Sequence, residues 1–391
     1  MNRPLWLLAL CQGLFLTNNV TFIAINGLVG LSMAPLGWMA TLPVMGYVVG
    51  GALSTSLVAK TQQRFGRKRS FQLGLLVALG SALLCAYAAV HKDFWLLCFA
   101  TVVAGYYNAN ANLYRFAAAE LSAPAAREKA VSLVMAGGLM GAVLGPNLAA
   151  QTKSLTQVPF AGAYLALAVV ALIALAVMAL IDFPPPPAKQ DHSEGRPLSA
   201  IMRQPTFIVA AATGALGFGV MNLLMAATPI AMQQCGLPFG DAALVLEWHV
   251  IGMFAPGFFT GHLIKRFGTL PIMGVGVALY AGCIAVALSG VDLHQFLIAL
   301  FLLGVGWNFL FTGSTTLSLE TYTPQEKDRA QGALNFFVFA VLAASSLASG
   351  ILVTTSGWTW LNYGSVAPVA LVAASLLWLA YLRKKLASQR I

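Results

Sequence analysis

The sequence predicts an all-α membrane protein: twelve transmembrane helices in two pseudo-symmetric six-helix bundles, with both termini cytoplasmic. Three observations predict it. First, 59% of the 391 residues are hydrophobic and 9% are charged, against about 25% charged in soluble domains, and the mean hydropathy is +0.80. Second, apolar runs of the ~20 residues a bilayer crossing requires recur along the whole chain. Helices are the default spanning element, because each span must satisfy its own backbone N–H and C=O groups. Third, the basic residues fall on alternate loops. Of 22 Lys and Arg, all but Lys92 and Lys153 lie on the side that holds the N-terminus, a positive-inside pattern. The net charge of +10 is therefore an orientation signal. The expected surroundings are membrane lipid, and no nucleic-acid partner is expected.

The first span, at roughly 5–30, begins MNRPLWLLALCQGLFL. Its start resembles a signal peptide, but the apolar run continues past Asn18 and Asn19 to Leu31 with no small-residue cleavage site. Further spans at roughly 36–59, 70–90, 94–116, 130–151 and 159–182 complete an N-terminal bundle over residues 1–182. Residues 183–205 read FPPPPAKQDHSEGRPLSAIMRQP. Their proline run and scattered charges suit a cytoplasmic linker. The C-terminal bundle, 206–391, holds spans at roughly 206–233, 241–263, 270–289, 294–317, 330–354 and 358–381.

The halves repeat. Arg64-Phe65-Gly66 returns as Arg266-Phe267-Gly268, an offset of 202, and Glu120, Pro124 and Ala130 return as Glu320, Pro324 and Ala330, an offset of 200. Gly105 with Asn108 is echoed by Gly306 with Asn308. A repeat at constant spacing, always near the same side, indicates duplicated six-helix units. The loop AKTQQRFGRK resembles the inner loop between the second and third helices of the major facilitator superfamily. Its Arg64, Gly66, Arg67 and Lys68 match the basic end of that motif, with Arg266 and Gly268 as the second copy. The family's acidic position is Gln63 and its first glycine is Ala59. The resemblance implies a conformational-gate loop, a monomeric secondary transporter, and alternating access around a site between the bundles. Helix 5 carries Gly137, Gly138, Gly141, Gly145 and Pro146, in part like the Gly-Pro motif of drug/proton antiporters and equally a close-packing face. A Walker loop and a nucleophile elbow are both missing, so neither ATP-driven transport nor an enzyme is expected.

Polar residues inside spans are the candidates for function. Of twelve Asp and Glu only Glu247 lies well inside a span, and of five His only His249 does. His249 and Met253 are four apart and share one helix face. Met221 and Met225 do the same on the preceding helix. Counted at 1.5 Å per residue, Met225 and His249 lie about 12 Å below the outer ends of their helices, and Met221 and Met253 about 18 Å. Facing helices would bring three thioethers and one imidazole level, a donor set that suits Cu(I). The alternative is ordinary packing, since Met fills gaps in apolar helices. Paired M-x3-M and H-x3-M motifs on helices 7 and 8 also resemble the CcoA-type copper importers of bacteria, a subgroup of the same superfamily. That resemblance implies import of copper across the inner membrane for assembly of a cbb3-type cytochrome oxidase. A cytoplasmic copper chaperone or copper-exporting ATPase would then act downstream. Copper is the substrate in this reading, and no resident cofactor is expected.

The five cysteines show no zinc or redox spacing. Cys235, three residues after Met232 near the outer mouth, is either a first capture point for the ion or an inert loop thiol. Glu247 lies about 200° around its helix from His249, and either residue is a candidate for proton coupling. Asn18, Asn19, Tyr107, Asn108, Trp307 and Asn308 are candidates for the cavity lining. Those aromatic and Asn positions also suit an organic substrate, so a riboflavin-type vitamin carrier stands as the alternative, alongside a drug/proton antiporter and a copper sensor that binds without transport.

Overall fold

The structure is a computed structural model of the chain, and it describes residues 3–123, 126–183, 195–323 and 325–388. Most of the predicted linker, 184–194, and the repeat pair Pro124 and Pro324 lie outside the described residues. The described elements are helical. In order they are α1 (Arg3–Met33), a 3-10 turn (Gly37–Met39), α2 (Leu42–His91), α3 (Phe94–Ala111), α4 (Tyr114–Glu120), α5 (Arg127–Thr152) and α6 (Ala161–Ala179). After the linker come α7 (Leu198–Met202), α8 (Pro205–Gln234), α9 (Phe239–Phe254), α10 (Gly257–Phe267), α11 (Thr269–Ser289), α12 (Leu293–Leu319), α13 (Lys327–Thr355) and α14 (Gly357–Ser388).

Among the described residues nine helices are long and apolar enough to cross a membrane, or ten when the pair α9 and α10, bent by 42°, counts as one span. The sequence predicts twelve, and the shortfall has physical sources. The stretch Gly37–His91 counts once, although Gly66 breaks α2 with φ 78° and ψ 172°. Helix α3 ends in Tyr106, Tyr107, Asn108 and Asn110, and that polar end lowers its apolar content. The α9–α10 break falls at Pro256, which precedes α10 directly, because a proline ring cannot continue the hydrogen-bond ladder.

The repeat read from the sequence has a structural counterpart. Gly268 closes α10 with φ 89° and ψ 160°, close to Gly66. At each turn the arginine two residues earlier lies over the intervening phenylalanine, 5.2 Å from its ring centre in both cases. A side chain is strained at such positive φ, which fixes glycine at both turns. Small residues also set helix approach. A Cβ on Gly105 would run into the backbone of Gly50 and Gly51, while one on Gly306 would meet Gly276 O at 3.0 Å.

The ends of the molecule differ. At the end that gathers the basic residues, none of the described ion pairs joins the helices before the linker to those after it. They are Arg67–Glu120 (2.5 Å) and Lys68–Asp182 (2.9 Å) before it, Arg383–Glu320 (2.6 Å) after it, and Arg196–Glu326 (2.8 Å) between the linker and the start of α13. At the opposite end, contacts join helices from before the linker to helices from after it. Two seams run between α13 and α2 with the 3-10 turn and between α5 and α9, and α1 also packs against α8.

Candidate functional site

Between the two sets of helices the rings converge. Trp307 and Phe311 are four apart on α12, so they share a face, and their rings stack 5.0 Å apart at 11°. Phe218 of α8 meets both edge-on, at 5.2 Å and 5.4 Å. Phe254, the last residue of α9, reaches Trp307 at 6.2 Å and also packs against the core of the first helices, which holds Phe15 and Tyr107. Those two rings meet at 5.5 Å, edge to face. Phe218, Phe254 and Phe311 are each partly exposed. Trp307 beneath them is 8% exposed, and its indole N–H finds no partner. Indole N–H groups usually find an acceptor when buried, so this donor is an open valence in an aromatic box.

His249 is fully buried, and its Nδ1 lies 2.7 Å from the Leu300 carbonyl of α12. Its Nε2 has no partner. Helix α9 approaches α12 closely here, since a Cβ on Gly252 would sit 2.9 Å from Phe301 O. The face of α9 expected to meet α8 therefore serves α12 at this histidine. Met253, on the same face, accepts a hydrogen bond at its carbonyl from Asn308 Nδ2 at 2.7 Å. Asn308 Oδ1 accepts from Thr260 Oγ1 at 2.6 Å, so Asn308 ties α12 to both sides of the α9–α10 break. Met221 and Met225 are buried in the same apolar core as Met253. Between them Asn222, which the sequence reading passed over, donates to Ser345 and Ser346 of α13 at 2.9 and 2.8 Å. Among the described residues no three His, Cys, Asp or Glu side chains gather as a metal site.

The remaining candidates spread out. Met232 is fully buried, whereas Cys235 is exposed at the end of α8. Partial burial raises the Cys235 thiol above its ordinary value, which keeps it protonated. Asn18 is buried; Asn19 is partly exposed and donates to Tyr47 Oη at 3.4 Å. Asn108 accepts from Asn112 Nδ2 at 3.0 Å. Glu247 accepts from Asn147 Nδ2 of α5 at 2.8 Å, a bond across the seam between the two sets of helices. No local pattern marks that partner, nor Phe218, Phe254 and Phe311; the single sequence signal for the box is the four-residue spacing of Trp307 and Phe311.

The Major Facilitator Superfamily profile matches residues 5–255 and 212–390. The chain is 37% identical over 380 residues to the riboflavin transporter RfnT of Brucella anthropi, covering 96% of this chain and 95% of that one. In structure it is similar to a bacterial homologue of the human lysosomal transporter Spinster in an inward-facing and occupied conformation, with a TM-score of 0.73, 15% identity and 96% of each chain covered. It is also similar to a bacterial metal transporter, with a TM-score of 0.68, 15% identity, and 96% of this chain and 98% of that one covered. At 15% identity these two likenesses speak for the fold alone. The relative at 37% identity overturns copper import, the reading drawn from the Met and His spacing. The expected copper chaperone and copper-exporting ATPase fall with it, and the organic-solute alternative takes its place.

Proposed function

The chain belongs to the major facilitator superfamily, and within it we propose a carrier that brings riboflavin, or a closely similar flat heteroaromatic solute, across the bacterial inner membrane by alternating access. The observation that carries this reading is the 37% identity to a riboflavin transporter over nearly the full length of both chains. The aromatic box supports it. Flat rings stack on aromatic faces, and small-molecule sites are apolar with few placed polar groups; here the placed group is the Trp307 N–H. We place the basic end in the cytoplasm by the positive-inside pattern. The two seams then close the periplasmic face.

An uncharged solute gains nothing from the membrane potential, whereas a proton moving inward gains ~2.3 kcal/mol per 100 mV. Glu247, the one acid well inside a span, is the group we assign to that coupling. The test is riboflavin accumulation and growth in a riboflavin-requiring bacterium that lacks its own uptake. Expression of this chain should restore growth at low external riboflavin and concentrate the labelled vitamin. Growth and accumulation equal to the empty vector would refute the carrier reading.

A further inference from the structure

The geometry points to the box of Phe218, Phe254, Trp307 and Phe311 as the subsite for the ring of the substrate, and to a requirement that the ligand be uncharged. The inference rests on the carrier reading for its transport consequence, but its binding test stands apart. Two observations carry it. The first is the orphaned indole N–H of Trp307, 8% exposed beneath three partly exposed phenyl rings. A buried donor without a partner is costly. A flat ring with a carbonyl at its edge supplies both an acceptor for that donor and a face for the rings.

The second observation is the charge around the box. Helices α8, α9 and α12, which carry all four rings, contain no Lys or Arg. Along the chain of these helices the nearest cations are Lys265 and Arg266 at the end of α10, about 16 Å beyond Phe254 at 1.5 Å per residue, and on the facing helices Arg115, which follows Tyr114 of the core that Phe254 meets, lays its guanidinium over the Phe116 ring at 4.9 Å. Glu247 lies about 10 Å before Phe254 by the same measure, and its charge repels an anion. A phosphate in a site of low dielectric requires an Arg, a Lys or a helix N-terminus. Trp307 and Phe311 lie mid-helix on α12, and although α10 begins three residues after Phe254, its Phe258, Phe259 and Thr260 N–H groups are already bonded to Ala255 O and Pro256 O. The subsite therefore accepts riboflavin and its bare tricyclic ring, lumichrome, and rejects riboflavin 5′-phosphate.

The experiment measures binding of riboflavin, lumichrome and riboflavin 5′-phosphate to the purified full-length protein in lipid nanodiscs, by quenching of flavin fluorescence. Riboflavin uptake into vesicles is measured alongside. Riboflavin and lumichrome should compete for one site, and the phosphate ester should bind at least ~tenfold more weakly. Trp307→Phe keeps an aromatic ring and removes the N–H, so affinity for both neutral ligands should fall roughly fivefold. Phe311→Leu keeps apolar volume and removes a stacking ring, and should weaken both by about tenfold. Equal affinity for the phosphate ester, no binding of either neutral ring, or unchanged binding in both variants would overturn the subsite. If vesicles accumulate riboflavin while both variants bind as wild type, the carrier reading stands and the subsite falls. If the rings bind through Trp307 but no vesicle accumulates riboflavin, the subsite stands and the carrier reading falls.

Discussion

The two seams that join the helices across the linker do the same work by different means. Along α13, Gly350 lies so close to Thr41 that a methyl group there would overlap the threonine hydroxyl, and it would sit 3.1 Å from Trp38 O. Thr41 Oγ1 donates to Ser346 O at 2.6 Å. These contacts carry no formal charge and depend on main chain meeting small side chains. The α5–α9 seam is held by longer side chains: Asn147 to Glu247 at 2.8 Å, and Lys153 at 5.4 and 5.5 Å from the rings of Phe160 and Phe239. A close-packed seam tolerates little distortion, because interiors have few alternative packings. A seam of hydrogen bonds and cation–π contacts breaks in small steps, and this one holds the carboxyl group that we assign to proton coupling. One seam closes by shape and the other by polar side-chain contacts.

The largest expected effect breaks the first seam. Gly350→Val forces a branched side chain into the Thr41 contact, at a cost of ~1–3 kcal/mol to the closed state. The closed population should fall by roughly tenfold to a hundredfold. Spin-label distances between α2 and α13 should lengthen, and riboflavin uptake should collapse while the protein stays in the membrane.

Next comes the chemical seam. Glu247→Gln keeps a hydrogen-bonding partner for Asn147 but cannot exchange a proton at that position. Counterflow of riboflavin should persist, while accumulation driven by a proton gradient should vanish. The other groups that titrate or carry charge near α9 are few. His249 faces α12, Asp241 lies in the first turn of α9, and Lys153 stands at the end of α5. Helix α12 adds His294 in its first turn, with Asp292 just before it, and α8 adds none. Accumulation that survives in Glu247→Gln would remove Glu247 from the coupling.

A carboxylate away from both seams sharpens the contrast. Glu326 is buried and accepts two hydrogen bonds from the Arg196 guanidinium at 2.8 Å each, and one from the Thr323 N–H at 2.9 Å. The Arg196 side chain first, and the Thr323 N–H after it, hold the Glu326 carboxyl well below the usual glutamate range. A depressed value in the folded state means that the clamp is fully present above the usual range and is lost as pH falls through the lowered value. Across the pH range where uptake is measured the clamp should not change. Amide exchange at 195–204 should therefore be flat with pH in the wild type and faster at every pH in Arg196→Ala. A pH response of uptake that tracked exchange in this segment would move the proton sensor from the seam to the clamp.

The fold was legible because its signals are local. Hydropathy, the loop charges and the paired Arg-Phe-Gly turns each follow from a few adjacent residues, and Gly66 and Gly268 take the same unusual backbone. The substrate was not legible, for a reason the Met residues make plain. A four-residue spacing places Met221 and Met225 on one face of a helix whether that face meets a ligand or a neighbouring helix. Rotation of the helix decides, and rotation is set by packing. Asn222, between the two, sends its amide to α13, and His249 on the next helix turns its Nδ1 to α12. The aromatic box draws on three helices, and only the Trp307–Phe311 pair within it is local enough to be read in advance.

The smallest expected effect sharpens the account of the second seam. Lys153 is one of two basic residues on the sparsely charged side, and it contacts one ring from each side of the linker, with the rings 5.0 Å apart. Lys153→Met keeps the length and apolar stem of the side chain and removes the cation. At ~0.5–1 kcal/mol for an accessible cation–π contact, the loss should weaken seam closure by only about twofold to fivefold. Uptake should fall modestly, with riboflavin affinity unchanged, because the residue stands far from the box. Combining Lys153→Met with Asn147→Ala tests whether the seam closes as a unit. Independent contacts more than ~7–10 Å apart add, so a double variant much worse than the sum would show that the α5–α9 seam closes cooperatively. A merely additive loss would leave it a row of separate side-chain contacts, each free to open without the others.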